Sequence, residues 1–207
     1  MTEQEAIDSI RTRGVPHETI KRLGKLGALV VEGSKRQNLV SASTIGQIWS
    51  RHLLDSIQLV DHAEEWSNWV DLGTGAGFPG LAIAALDRGV VTMIESRQLR
   101  VKFLRETIET LELRNAYVVQ GDAARISAST HDIISARAFA PLERLLPIGA
   151  RFAHPETRWL LPKGRNAVRE LESVRQTWQG DFEVAPSVTD RDAAIIVARN
   201  VRRKGVT

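Results

Sequence analysis

The densest chemical signal in the chain is a run of ten residues, D-L-G-T-G-A-G-F-P-G, from Asp71 to Gly80. Glycines at 73, 75 and 77 let the backbone turn tightly and approach a ligand with no Cβ between them. Gly75-x-Gly77-x-x-Gly80 fits the dinucleotide fingerprint, in which a helix N-terminus holds a pyrophosphate. Asp71-x-Gly73-x-Gly75-x-Gly77 fits the S-adenosylmethionine (SAM) pattern, in which an acidic residue ends the first strand. A carboxylate at that place repels a pyrophosphate but suits a ligand with an ammonium and a sulfonium centre. The glycines alone are a weak signal, because such loops also serve as plain turns. Glu95, 20 residues past Gly75, adds to it. At the end of a second strand its carboxylate can accept both hydrogen bonds of an adenosyl ribose. Together these residues place SAM ahead of NAD.

The chemistry that is missing narrows the acceptor. The chain has no cysteine, which excludes disulfides, thiolate zinc sites and the covalent adduct needed to methylate a cytosine ring carbon. Exocyclic amines of bases are usually methylated through a D/N-P-P-Y/F motif after the fourth strand. Here that place holds S-A-R-A-F-A-P, with Arg137 and Phe139. No G-x-S-x-G, P-loop or histidine-rich metal cluster occurs, so no metal is expected. His17, His62, His131 and His154 share no spacing and read as surface residues.

These residues need elements to position them. Residues 1–62 read as a helical extension, with Ile20, Leu23, Leu26, Val30 and Val31 at helical spacing after Pro16, and a second such stretch from Ile45 to Val60. The grammar changes at Trp69. W-V-D-L-G is a short buried strand running into the glycines, and Pro79 opens an apolar helix. Strands follow at 90–95, 117–121, 132–136 and 159–162. Helices are expected after Ser96 as N-cap (Leu99, Phe103, Leu104, Ile108 and Leu111 inward), near 142–151 and around 165–179. F-E-V-A-P-S-V-T and A-A-I-I-V-A-R, split by Asp190-Arg191-Asp192, form a final antiparallel hairpin. The pattern βαβαβαβαβαββ makes residues 63–207 an α/β, Rossmann-like, SAM-dependent methyltransferase domain. Its seven-stranded sheet is mostly parallel and ends in an antiparallel hairpin, and the N-terminal extension joins it in one compact unit. Trp49, Trp66 and Trp69 are expected to pack the extension on the sheet.

The 207 residues suit one domain of this size with a small appendage. The longest apolar runs, Leu81–Leu86 and Ala193–Ala198, fall far short of the ~20 residues that cross a bilayer. The polar, acidic N-terminus shows no secretory signal, and a cytoplasmic, membrane-free protein is expected. Net charge is only +3, but residues 136–207 hold 13 basic and 8 acidic groups. That surplus favours a phosphate-bearing partner, with Arg199, Arg202, Arg203 and Lys204 read as a basic tail beyond the last strand. A solvated face explains it equally well.

Five segments resemble the ribosomal RNA small subunit methyltransferase G family: R-H-L-L-D-S at 51–56, the glycine run at 71–80, R-V-K-F-L-R at 100–105, S-A-R-A-F at 135–139 and P-K-G at 162–164. Their order and spacing match over roughly residues 38 to 199. The resemblance implies methyl transfer from SAM to N7 of guanine 527 in the 530 loop of 16S rRNA, with that RNA or the small ribosomal subunit as partner; a monomer is expected. It implies SAM contacts from Gly73 and Phe78 in the loop, from Arg137, and from the pair Ala123–Ala124 beside the adenine. The family more often has Ala-Glu at that pair, so a contact there must come from backbone. Arg51, His52 and Lys163 are candidates for holding RNA or the target base. His52 reads equally well as a structural helix residue, and Arg137 as a salt-bridged strand cap. An NAD-dependent oxidoreductase and a non-catalytic ribosome-assembly factor remain as alternatives.

Overall fold

A computed structural model describes residues 1–205. The extension contains α1 (Glu3–Thr12) and α2 (His17–Ser34), then a 3-10 turn over Ala42–Gln47 and a π-helical turn over Trp49–Leu53. The short α3 (Leu54–Ile57) continues the π turn. Thr2 and Glu5 form a reciprocal capping box on α1. The sheet begins with β1 (Asn68–Leu72), followed by α4 (Gly80–Ala84), β2 (Val90–Glu95) and α5 (Gln98–Thr110). Next come β3 (Ala116–Gln120), β4 (His131–Ser135), α6 (Leu142–Gly149), β5 (Ala153–Lys163) and α7 (Ala167–Val174). The chain closes with β6 (Trp178–Pro186) and β7 (Ala194–Arg203).

The seven strands lie in the order β3-β2-β1-β4-β5-β7-β6. β1 to β5 are parallel, whereas β7 runs antiparallel to β5 and to β6. All C-terminal ends of the parallel strands therefore open on one edge of the sheet, where the glycine loop leaves β1. One face carries a core in which Leu26, Val30, Leu53 and Ile57 of the extension share contacts with Leu81, Ile83 and Leu104. The other face packs Leu145, Leu146, Leu171 and Val174 of α6 and α7 against Trp159 and Ile196. Trp66 and Trp69 meet edge to face in the first core.

Several expectations are corrected. No helix lies between β3 and β4 among the described residues, where a short turn at 123–125 and irregular chain make the connection. Leu99 is 67% exposed, because at 100° per residue it points about 140° away from buried Leu104. Arg97, not Ser96, is the N-cap of α5, and the Ser96 hydroxyl turns to Glu95 instead. α7 ends at Val174, since Trp178 is already paired with Arg203 in the terminal hairpin. His131 is buried at the start of β4, its Nδ1 2.8 Å from the Ser129 carbonyl. Arg199, Arg202 and Arg203 are strand residues rather than a tail. Arg202 pairs with Gln179, and the Lys204 amide donates to Thr177.

Candidate active site

The glycine loop is built almost wholly from backbone. The Gly73 and Thr74 amides donate to the Ile94 carbonyl of β2 at 2.9 and 3.1 Å, which anchors the turn. Gly73, Gly75 and Gly77 have φ of 68°, 60° and 93°, a region that side chains with a Cβ rarely adopt. At Gly73 a Cβ would lie 2.2 Å from the Phe139 ring, and at Gly77 2.3 Å from Leu81. At Gly75 the nearest atom is an Arg100 nitrogen at 3.6 Å, so this glycine faces open space.

Asp71, expected to meet the ligand's positive centres, is instead fully enclosed. Its carboxylate accepts from the Gly80 amide (3.0 Å) and the Ser135 hydroxyl (2.8 Å), tying the loop's far end and β4 to β1. Burial pushes its pKa up, against those hydrogen bonds. Glu95, at the end of β2, is buried beneath the loop. Its Oε2 accepts from the Gly75 amide at 3.0 Å and its Oε1 from the Arg97 amide at 2.8 Å. Oε1 also faces the Ser96 hydroxyl at 3.5 Å and Oε2 the Arg100 guanidinium at 3.8 Å, and a ribose diol would use the lone-pair capacity that remains. An open glycine beside a strand-end carboxylate fits SAM. Beyond Glu95, Ala123 is buried and its carbonyl accepts from Arg151, while the exposed Ala124 has its amide on Asp122. The Asp122 carboxylate thus shapes the backbone on which any contact at this pair depends.

Phe78 and Arg137 mark the other boundary of the loop. Phe78 was expected to touch the ligand, yet its ring is only 2% exposed and stacks on His52 with centroids 5.2 Å apart. The Arg137 guanidinium lies 5.4 Å from the Phe78 centroid. Its Nη1 donates to the Arg51 carbonyl (3.1 Å) and to Asp55 Oδ2 (3.2 Å), and its Nη2 to His52 Nδ1 (3.1 Å). A guanidinium has only donors, so His52 Nδ1 must be unprotonated and the ring proton sits on Nε2, 3.0 Å from Thr44 Oγ1. Burial, then Arg137 and Arg51, lower the His52 pKa to about 4, which keeps the ring neutral.

A cleft of about 670 Å³ opens on the far side of Arg137. Arg51, His52, Asp55 and Arg137 line one side, and Phe139, Lys163 and Asp190 the rest. Ala138 takes a left-handed φ of 52°, at a cost of about 1–2 kcal/mol, and Phe139 next to it lies against Gly73. Lys163 lines the cleft, but its ammonium is engaged with Glu170 (2.8 Å) and the Ala140 carbonyl (2.9 Å). Arg51 pairs with Asp190 at 2.7 Å. Asp55, Asp190, Phe139 and Glu170 belong to this site and were given no role by sequence reasoning. Asp55 had a readable signal, since four residues past Arg51 it shares a helix face with it, and Phe139 had one in the S-A-R-A-F segment.

The structure thus gathers Gly73, Gly75 and Glu95 on one side and Arg51, His52, Arg137 and Lys163 on the other. It leaves Arg202, Arg203 and Lys204 at the opposite edge of the sheet. β7 runs away from the cleft, and Arg203 lies nine residues beyond Ala194, about 30 Å for a strand. Among the described residues no group of three or more acidic, His or Cys side chains is placed to hold a metal, and no helix is long and apolar enough to cross a membrane.

A parallel sheet with its seventh strand reversed, a glycine turn after β1 and an acidic residue ending β2 define a SAM-dependent methyltransferase. Solved structures agree on the fold. A SAM-dependent methyltransferase from Aquifex aeolicus superposes with a TM-score of 0.61 at 17% identity, over 81% of this chain and 97% of that one. A mutant of MtNAS in complex with S-adenosylmethionine gives 0.59 at 17% identity, over 95% of this chain and 77% of that one. The chain belongs to the rRNA small subunit methyltransferase G family, whose sequence profile matches residues 19–195. It is 50% identical to the ribosomal RNA small subunit methyltransferase G of Rhizorhabdus wittichii, over 99% of this chain and 96% of that relative. The protein of that name from Novosphingobium aromaticivorans is 44% identical, over 96% and 89%. The expected family, fold class and cofactor, SAM, are borne out.

Proposed function

We propose that this chain methylates N7 of one guanine in 16S rRNA, at nucleotide 527 of the 530 loop. The observation that carries the reading is the pairing of two differently built half-sites across one boundary. The glycine turn and Glu95 lie on one side of Phe78 and Arg137, and an open polar cleft lies on the other. Gly73, Gly75, Phe78 through its backbone, Glu95, the backbone of Ala123–Ala124 and, at the boundary, Arg137 would hold SAM, which supplies an electrophilic sulfonium methyl group when bound. Arg51, His52, Arg137 and Lys163 bound the acceptor side.

Guanine N7 carries a free lone pair at neutral pH, so no residue has to remove a proton. The neutral His52 then serves as a holder of Arg137 rather than a base. Orientation becomes the main task, and in favourable cases it supplies roughly 7–11 kcal/mol. As positive charge passes to the base, fixed dipoles and carboxylates around the cleft stabilise it without reorganising. The extension contributes Arg51, His52 and Asp55 to the cleft, which supports reading residues 1–62 and 63–207 as one working unit. A monomer acting in the cytoplasm accords with a ribosomal substrate.

The test uses small-subunit RNA from cells lacking this modification, with methyl-labelled SAM. Label should appear at one guanine, which then becomes sensitive to reductive strand scission, the signature of N7 methylation. Label on an exocyclic amine or a ribose, or no transfer to free RNA or to small subunits, would overturn the reading.

A further inference from the structure

The turn joining β6 to β7 is fastened to the helical segment that carries Arg51 and His52, and nothing in the sheet requires this. Thr189 Oγ1 donates to Asp55 Oδ1 at 2.8 Å, and the Val188 amide to Gln58 Oε1 at 2.9 Å. Gln58 Nε2 in turn donates to Asp55 Oδ1 (2.9 Å) and Ser187 Oγ (3.1 Å). Arg51 closes the set on Asp190. The two segments are more than 120 residues apart in the chain, and Arg51, Asp55, Ser187, Thr189 and Asp190 from them line the cleft.

Asp55 is the common member. One carboxylate oxygen takes the hairpin turn and Gln58, and the other takes the Arg137 guanidinium at 3.2 Å. Of the three acceptors around that guanidinium, only Asp55 carries a charge. The Arg137 and Asp55 side chains are 20% and 17% exposed, so solvent screens the pair far less than one on the surface. We propose that Asp55 is a positioning residue for methyl transfer: its carboxylate couples the β6–β7 turn to Arg137 and so sets Arg137 at the boundary of the glycine loop and the cleft. The proposal rests on the functional reading above, since it assigns how that site is held in register.

Asp55→Asn keeps the side chain's size and one acceptor but removes the charge. At saturating SAM it should lower kcat for rRNA by about ten- to a hundredfold, the worth of a charged hydrogen bond. Thr189→Val, which frees only the hairpin end, should lower kcat by a smaller factor. Its effect should shrink when Asp55 is already Asn, because the two act through one carboxylate. Circular dichroism and the thermal midpoint establish that each variant is folded, and the two conservative changes keep the test available even where Asp55→Ala does not fold. An unchanged kcat in folded Asp55→Asn would overturn the proposal, as would a loss confined to KM or to SAM affinity, or strictly additive effects of the two changes. The coupling is also read without RNA. Slowed guanidinium rotation at Arg137, seen by NMR in the free wild-type protein, should be released in Asp55→Asn. If the wild type fails to methylate rRNA, the functional reading falls, while this signal still decides whether Asp55 holds Arg137.

Discussion

The glycine loop and the cleft meet at Phe78 and Arg137, yet they are built by different means. The loop comes from ten consecutive residues, its geometry lies in backbone dihedrals, and its one central carboxylate is sealed inside the fold. The cleft is assembled from the extension, the segment after β4, the end of β5 and the terminal hairpin, and it is held by charged side chains. A loop of the first kind tolerates no added volume where it packs on itself. A wall of the second kind tolerates substitution and loses alignment instead.

Gly77→Val should separate the two most sharply. Its left-handed φ and the 2.3 Å approach to Leu81 leave no room for a branched side chain. A loss of about 3 kcal/mol or more is expected, a thermal midpoint lower by roughly 6–12 °C for a chain of this size. Gly75→Val, with open space around its Cβ, should cost only about 1–2 kcal/mol and leave a folded protein that no longer binds SAM. Calorimetric melting and SAM titration check both. Normal SAM affinity in Gly75→Val would remove the loop from the cofactor site.

Acid sensitivity probes the cleft side. His52 has its pKa lowered from 6.5 to about 4. Between those values the unfolded chain binds a proton that the folded chain does not. Stability is therefore fully present above pH 6.5 and falls as pH drops toward 4, by at most about 1.4 kcal/mol per unit. Urea midpoints measured across this range should show a shallower decline in His52→Gln. An identical slope would mean that burial in the folded chain does not keep His52 neutral.

Arg51 and Asp190 are 39% and 34% exposed, so Arg51→Gln should cost stability at most about 1 kcal/mol. If Arg51 meets a phosphate, the salt dependence of RNA affinity should lose about one unit of slope, read by filter binding at several ionic strengths. The smallest effect is expected for Arg202, Arg203 and Lys204 replaced together by Ser. These residues lie at the sheet edge away from the cleft, so neither SAM affinity nor the salt slope at the target should change. A flattened slope would extend the RNA footprint across the molecule.

The parts legible in the sequence are those that local chemistry decides. Positive-φ turns need glycine, so the loop after β1 shows itself as Gly73, Gly75 and Gly77. Alternating buried strands and amphipathic helices show the sheet, and the short polar turn at 190–192 shows the reversed β7. The strand bounds at 90–95 follow from an apolar run ended by Glu95. Where a helix merely touches a strand end, as at Arg175–Trp178, periodicity carries the helix too far, because pairing with Arg203 is invisible to local spacing.

The sequence by itself determined the class of fold, the glycine turn and the acidic end of β2, because each is a property of adjacent residues. Only the tertiary structure decided which charges are used where. Burial turned the Asp71 carboxylate into a clamp on Gly80 and Ser135, and packed the Phe78 ring on His52. Strand pairing carried Arg199 to Arg203 away from the cleft, and a carboxylate at position 55 found its partners 82 and 134 residues away. Charge count and motif order say nothing of such distances. The free energy of a charge depends on what surrounds it, and the surroundings exist only once the chain has folded.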